Sequence, residues 1–363
     1  MIKLGYLNIK KIKNKNKFKI ILIGTTILLL TLSLFKPKNN VNKKDNTGTK
    51  PSKVQSALEP SFEEEKLEEI EDNIEKTLVI NIKDDVFSTT EVTVCNSEFK
   101  LSEELNNKIN NHIKNFGGDC SFIVVNLNDG MSIGYNVDKT YATASTIKVA
   151  FSLYSFKEMD KGNGDLEEFK LYEERFRRDG SGILKNKPSG TNYTLKELFY
   201  NTLHYSDNVA YYMVHDRFYG EGYNNFIKEL GCNNLYLNNG RKWGEIDARS
   251  MALIWQEIYK YKDESENGKY LFELLTNADY NYIKQGMEKY ESAHKSGWTP
   301  RETHDSAIVF ANDDYIVVTL NKNNGNYSSK SQLLKISSCI EEVIDEYTIY
   351  KENNLQKEKV LTK

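Results

Sequence analysis

A serine hydroxyl three residues ahead of a lysine becomes a nucleophile when both share a helix face and the amine is free of its proton. The segment Ser145-Thr146-Ile147-Lys148 has that spacing, because residues i and i+3 lie side by side on a helix. A serine hydroxyl attacks a carbonyl well only after a base removes its proton. A lysine buried beside other cations has its pKa lowered enough to be that base. Lysine-rich composition also produces the pattern by chance: Ser33 with Lys36, Ser97 with Lys100 and Ser292 with Lys295 satisfy it. Context sets Ser145 apart. It opens the apolar run Val149-Ala150-Phe151-Ser152-Leu153-Tyr154, whereas Ser33 lies in an apolar N-terminal block and Ser97 near a polar stretch.

Two later segments, Ser206-Asp207-Asn208 and Lys295-Ser296-Gly297, carry more hydroxyl, amide and ammonium groups. Their surroundings are specific. Tyr141-Ala142-Thr143-Ala144 precedes Ser145, Gly180-Ser181-Gly182-Ile183-Leu184 comes between the first two segments, and Ala293-His294 and Trp298 flank the third. With Lys228-Glu229-Leu230-Gly231, these strings closely resemble the class A β-lactamase family, whose signature with that of penicillin-binding proteins is S-x-x-K, S-D-N and K-T-G. The resemblance spans about Leu101 to Tyr347.

That resemblance implies a role for each matched residue. Ser145 would attack a lactam or amide carbonyl, Lys148 would help deprotonate it, and Ser206 would relay a proton to the leaving nitrogen. The backbone N–H groups of Ser145 and Trp298 would form an oxyanion hole. Asn208 would hold Lys148 and the substrate amide. Lys295 with Ser296 would bind the substrate carboxylate, and Gly297 would let the strand backbone come close to the acyl group. Ser296 stands where threonine is more usual and keeps the hydroxyl. For His294, Trp298, His304 and Asp305 a structural role is the default, with ligand contact open for His304 and Trp298.

The pattern departs after Gly231. Class A enzymes free their acyl-enzyme with a water activated by a glutamate on a long loop. Here the loop from Cys232 to Ile246 is short, and aligning Leu237 with the leucine that usually precedes that glutamate puts Arg241 near the expected position. Glu245 is the only carboxylate before Asp247 and the only candidate deacylating base. Its place beside a helix cap is equally explained by favourable charge at a helix N-terminus. Three functions follow. They are a β-lactamase hydrolysing β-lactams, an extracytoplasmic D-alanyl-D-alanine peptidase of penicillin-binding type with slow deacylation, and a non-catalytic cell-wall binding or sensor domain. Intact Ser145, Lys148, Ser206 and Lys295 place the last behind the others.

The elements that must position these groups form an α+β pattern. Ser102 opens a helix running to Phe116, and Ser121–Asn126 with Met131–Tyr135 reads as a hairpin. Residues 145–285 are mostly helical, with a capping box at Thr194-Leu195-Lys196-Glu197, a helix end at Gly231 and a cap at Asp247. Strands follow over Tyr290–Gly297, His304–Asn312 and Tyr315–Asn321, then a helix over about Ser329–Tyr347. The expected fold is a five-stranded antiparallel sheet covered by helices from both chain ends, beside an inserted all-helical lobe. The cleft between lobe and sheet would hold the site.

Outside this region, residues 1–19 are basic with no acidic residue, and 20–35 are almost wholly apolar. Such a block predicts a membrane signal anchor with an extracytoplasmic catalytic domain. A cleaved signal peptide, giving a secreted protein, is the alternative, since the block is shorter than the roughly 20 residues of a spanning helix. Residues 36–96 read as a polar stalk, interrupted by a short helix over Ser61–Lys76 and a strand-like Leu78–Ile82. Residues 97–350 read as the catalytic domain and 351–363 as a charged tail. The 363-residue chain has 39% apolar residues, a net charge of -3 and no dominant basic patch in its C-terminal two-thirds, which argues against nucleic acid as a partner. Cys95, Cys120, Cys232 and Cys339 permit disulfides or free thiols. No metal-ligand spacing, phosphate loop or dinucleotide fingerprint occurs, so neither cofactor nor metal is expected. A monomer is expected.

Overall fold

The computed structural model describes residues 80–117, 119–323 and 328–361. The expected anchor, the Ser61–Lys76 helix and most of the expected stalk lie outside them. Among the described residues no helix is long and apolar enough to cross a membrane.

In chain order the elements are β1 (Thr93–Cys95), α1 (Glu103–Asn115), β2 (Cys120–Asn126), β3 (Ser132–Tyr135), β4 (Tyr141–Ala142), α2 (Ile147–Asp160), β5 (Phe169–Leu171) and β6 (Asn192–Thr194). Next come α3 (Leu195–Leu203), α4 (Asn208–Phe218), α5 (Glu221–Glu229), β7 (Glu245–Ile246), α6 (Ala248–Tyr261), α7 (Glu266–Thr276) and α8 (Tyr282–Gly286). The chain ends with β8 (Glu291–His294), β9 (Gly297–Trp298), β10 (Glu302–Phe310), β11 (Asp314–Lys322) and α9 (Ser329–Leu361).

The main sheet is antiparallel in the order β1-β3-β2-β11-β10-β8, with β9 also paired to β10. Successive strand side chains point to opposite faces, and the central strands use both. Phe122, Val124, Val317 and Val309 enter one core with Ile109 of α1 and Ile340 and Ile344 of α9. Ile123, Val125, Ile316 and Ile308 enter the other, with Phe151 of α2 and Ile254 and Trp255 of α6. This second core runs on into the helical lobe. Its caps are those expected: Thr194 and Glu197 form a capping box, Asp247 accepts from Ser250 N, and Gly231 follows α5 at φ +80°.

The α+β architecture is as expected, but the sheet has seven strands rather than five. The expected strand Tyr290–Gly297 is two pieces, β8 and β9, separated at Lys295-Ser296. An extra edge strand, β1, lies in what reads as stalk. Residues 80–99 in fact pack on the domain, although Ile80–Ile82 forms no strand. The Ile80 carbonyl accepts from Gln256 Nε2 (2.9 Å) and the Ile82 carbonyl from Arg249 Nη1 (2.5 Å). Asp85 accepts from Ser132 Oγ (2.6 Å), and the Ile82 side chain is fully buried. Polar composition hides this belt, because it is held through its backbone and two or three apolar anchors. The last helix likewise continues through most of the expected tail, to Leu361. All four cysteines are free thiols.

Candidate active site

Ser145 sits in a single 3₁₀ turn, Ala144–Thr146, that feeds directly into α2. Ala144 holds φ +44°, a left-handed conformation that costs a non-glycine residue free energy and persists only where its surroundings impose it. Here those surroundings are β9 and the β4–β7 ladder. A Cβ added to Gly297 would lie 2.8 Å from Ser145 N and 2.9 Å from Thr146 N. Glycine is therefore required for β9 to lie against the backbone of Ser145. Thr143 N donates to the Gly244 carbonyl (3.0 Å), fixing the other side of the turn. Ser145 itself remains partly exposed.

Lys148, one turn along α2, is fully buried. Its ammonium nitrogen donates to the Ser206 carbonyl (2.5 Å), Asn208 Oδ1 (2.9 Å) and Ser206 Oγ (3.3 Å). None of its hydrogen bonds goes to Ser145. Ser206 also has positive φ, +53°, and its hydroxyl lies between two amines, since Lys295 Nζ donates to it at 3.1 Å. Lys295 also donates to the Ser296 carbonyl (2.8 Å). Burial lowers the Lys148 pKa well below the usual lysine value, and the nearby Lys295 charge adds to this, with Asp207 opposing. Burial lowers Lys295 to about 8, with Asp305 opposing. The site thus holds an amine that sheds its proton readily beside one that keeps its charge at neutral pH.

The remaining supports come from both sides. Asp207 caps α4 through Ala210 N and reaches across to Leu184 N (2.8 Å), while Asn208 Nδ2 donates to the Asp179 carbonyl (2.9 Å). Gly180 and Gly182, at φ +98° and +100°, let that loop pass so close that a Cβ on either would strike Asn208 or Asp207. The Gly-Ser-Gly string is thus explained. On the sheet side His304 accepts from Asn321 N at Nδ1 (3.1 Å) and pairs through Nε2 with the Ala142 carbonyl (3.0 Å). Burial pushes its pKa down to about 4, so it is a neutral brace between sheet and β4. His294 lies buried between Asp305 and the Ala278 carbonyl. Trp298 is 64% exposed on β9.

Ser145, Lys148, Ser206, Asn208, Lys295, Ser296 and Gly297 thus meet in one place. Glu245 does not join them. It is exposed, stands opposite Ala142 on β7, and lines a surface hollow of about 380 Å³ with Asn234, Tyr236, Asn238, Arg241 and Trp243. Neither Ser145 nor Lys148 lines that hollow. The groups beside Lys148 that its motif did not reveal are rings: Tyr211 at 5.7 Å and Trp243 at 5.6 Å from Nζ to centroid. α4 secures the Trp243 loop through Tyr211 Oη donating to the Lys242 carbonyl (2.8 Å) and through His215 at the Arg241 carbonyl (3.2 Å).

Residues 104–344 match the family model described as the β-lactamase enzyme family. Among solved structures, PBP-A is similar at 21% identity and TM-score 0.60, covering 67% of this chain and 97% of its own. The β-lactamase from Sphaerobacter thermophilus DSM 20745 aligns at 19% identity and TM-score 0.59, covering 65% and 95%. The class A β-lactamase of the last common ancestor of Gram-negative bacteria aligns at 16% and 0.59, covering 66% and 99%. With the matched model spanning well over half of its residues, this chain belongs to the β-lactamase enzyme family.

Proposed function

We propose that this chain is a serine acyl-transfer hydrolase that forms an acyl-enzyme on Ser145 with β-lactams and D-alanyl-D-alanine-type peptides and releases it slowly, as penicillin-binding proteins do. The observation that carries this reading is the shell of Lys148: hydroxyl, carbonyl, amide and two aromatic rings, with no hydrogen-bonded carboxylate among the described residues. Neutral Lys148 takes the Ser145 proton as Oγ bonds to the carbonyl carbon. The backbone N–H groups of Ser145 and Trp298 receive the developing oxyanion. As the C–N bond breaks, the Ser206 hydroxyl gives its proton to the leaving nitrogen and regains one from Lys148. Charged Lys295 holds the substrate carboxylate. Deacylation needs a second base beside a water, and the side chain that the loop lays against Lys148 is the Trp243 ring, not a carboxylate. A mutant of PBP-A is known as its acyl-enzyme with penicillin-G, which supports the acylation half of the reading.

The N-terminal basic and apolar blocks support an extracytoplasmic domain anchored in the membrane, or secreted if the segment is cleaved. Carbonate-resistant membrane association tests the anchor. The functional test is mass spectrometry of the chain with labelled penicillin, alongside nitrocefin turnover. A long-lived adduct on Ser145, absent in Ser145→Ala, with turnover far slower than acylation is expected. Fast turnover would make it a β-lactamase, and no adduct would leave a binding domain. A soluble fragment for this assay must begin before Ile80, since the belt over residues 80–99 is part of the fold.

A further inference from the structure

Four cations around the strand pair β5–β6 and α4 face carboxylates: Lys170 and Arg175 pair with Asp216, Arg177 with Glu174, and Arg217 with Glu168. Others, such as Lys185 and Lys196, have no such partner, and two of these, Arg178 and Lys242, converge. Among the described residues neither Arg178 nor Lys242 has a carboxylate at ion-pair distance. The guanidinium of Arg178 donates to its neighbour's carbonyl at Arg177 (2.5 Å), and Lys242 Nζ donates to the Gly240 carbonyl (2.9 Å). They come from loops far apart in sequence, yet they approach one ring. Arg178 Cζ lies 4.7 Å and Lys242 Nζ 5.8 Å from the Tyr212 centroid. Burial lowers the Lys242 pKa, Asp216 opposes this, and the Arg178 and Arg175 charges add to the lowering. The like charges therefore sense each other, and Asp216, already paired with Lys170 and Arg175, offsets them only in part.

Their location ties them to the reacting groups. Arg178 adjoins Asp179, whose carbonyl holds the Asn208 amide, and Asn208 Oδ1 receives a hydrogen bond from Lys148. Lys242 adjoins Trp243, whose ring covers Lys148. Lys295 is carried by the sheet, whereas these two cations are carried by the lobe. We propose that Arg178 and Lys242, across Tyr212, form a second anion subsite that takes a carboxylate on the acyl part of the substrate. Preferred substrates would then be dianions, with one carboxylate at Lys295 and the other at this pair. The proposal rests on the reading that Ser145 is acylated.

Benzylpenicillin and carbenicillin differ by one carboxylate on the acyl side chain, which makes them a direct probe. With the full-length chain, single-turnover acylation at low salt should favour carbenicillin by about fivefold, the scale of one partly exposed charge contact. In the double variant Arg178→Ala, Lys242→Ala the ratio of the two rates should fall to near one. A general disturbance of the cleft would slow both penicillins and leave the ratio intact. Arg178→Lys should keep part of the preference, and salt above about 0.5 M, where screening shortens to a few ångström, should erase it. Equal rates in the unmodified chain, or a ratio untouched in the double variant, would overturn the subsite. Calorimetric binding of both penicillins to Ser145→Ala reads the preference without chemistry. If neither compound labels Ser145 but the dianion still binds more tightly, the acylation reading fails and the subsite stands.

Discussion

The two walls that meet at Lys148 differ in how they are built. On one wall Lys295, Ser206 and Asn208 engage each other and the amine through short polar contacts, and their backbones are pinned by β10, the Asp207 cap and the Gly180–Leu184 loop. On the other, Lys148 meets aromatic surface, Trp243 from the loop Asn233 to Gly244 and Tyr211 from α4, and α4 holds that loop through its backbone carbonyls. On the proposed reading the first wall carries out acylation, and the second bears on deacylation. α4 joins the two, since it carries Asn208 on the first wall and Tyr211 on the second, whereas Trp243 comes from the loop alone.

The contrast breaks first at Lys148. Lys148→Met should lower the acylation rate on the order of 10²–10⁴-fold, the usual contribution of a general base. Lys148→Arg should not restore it, because a guanidinium does not give up its proton. Single-turnover labelling by penicillin measures both, and near-normal labelling of either variant would remove the amine from the mechanism. A smaller effect is expected across the cleft. Trp243→Glu places a carboxylate beside Lys148 and should shorten the life of the acyl adduct at least about tenfold, toward the contribution of a positioned base. An unchanged lifetime would mean that the aromatic wall is not where hydrolysis is blocked.

These two walls were also unequally legible. The acylation side is written as local strings whose chemistry follows from residue type, and even its glycines are explicable: Gly297 and Gly182 stand where a side chain would collide with Ser145 N or Asp207. The role of Trp243 depends on a contact between residues 95 positions apart, with no spacing to announce it. The strap over residues 80–99 reads as stalk for a related reason, since its polar sequence conceals main-chain bonds to Arg249 and Gln256. The core strands, by contrast, are plain because β2, β11 and the second half of β10 are buried on both faces and so carry the apolar runs Phe122–Val125, Tyr315–Val318 and Ala307–Phe310.

pH sharpens the comparison more gently. On the proposed reading Lys295 would bind a carboxylate only while charged, and burial lowers its pKa to about 8. Acylation kcat/KM should therefore decline as pH rises through about 8, by up to about tenfold per unit beyond it. The sign follows from which form works: below 8 the ammonium is present, above 8 it is lost. Lys148 works in its neutral form and its pKa is lowered, so it imposes no alkaline limb. Lys295→Arg should carry the decline to higher pH, at some cost in rate because the guanidinium is larger and planar. A limb that stays near 8 in that variant would belong to another group.

The smallest effect is expected at Glu245. It is the one carboxylate that the shortened loop offers before Asp247, yet its side chain is exposed and makes no hydrogen bond with Ser145, Lys148 or Ser206. Its backbone has the work instead: the Glu245 carbonyl accepts from Leu235 N (2.8 Å), and β7 pairs it with Ala142. Glu245→Gln keeps that backbone and removes only the charge. The decay of the penicillin adduct should then stay within about twofold of the parent, since a group outside the reacting cluster supplies no base catalysis. A strongly prolonged adduct would mean that the loop swings the carboxylate in after acylation, and the second wall would then conceal a base.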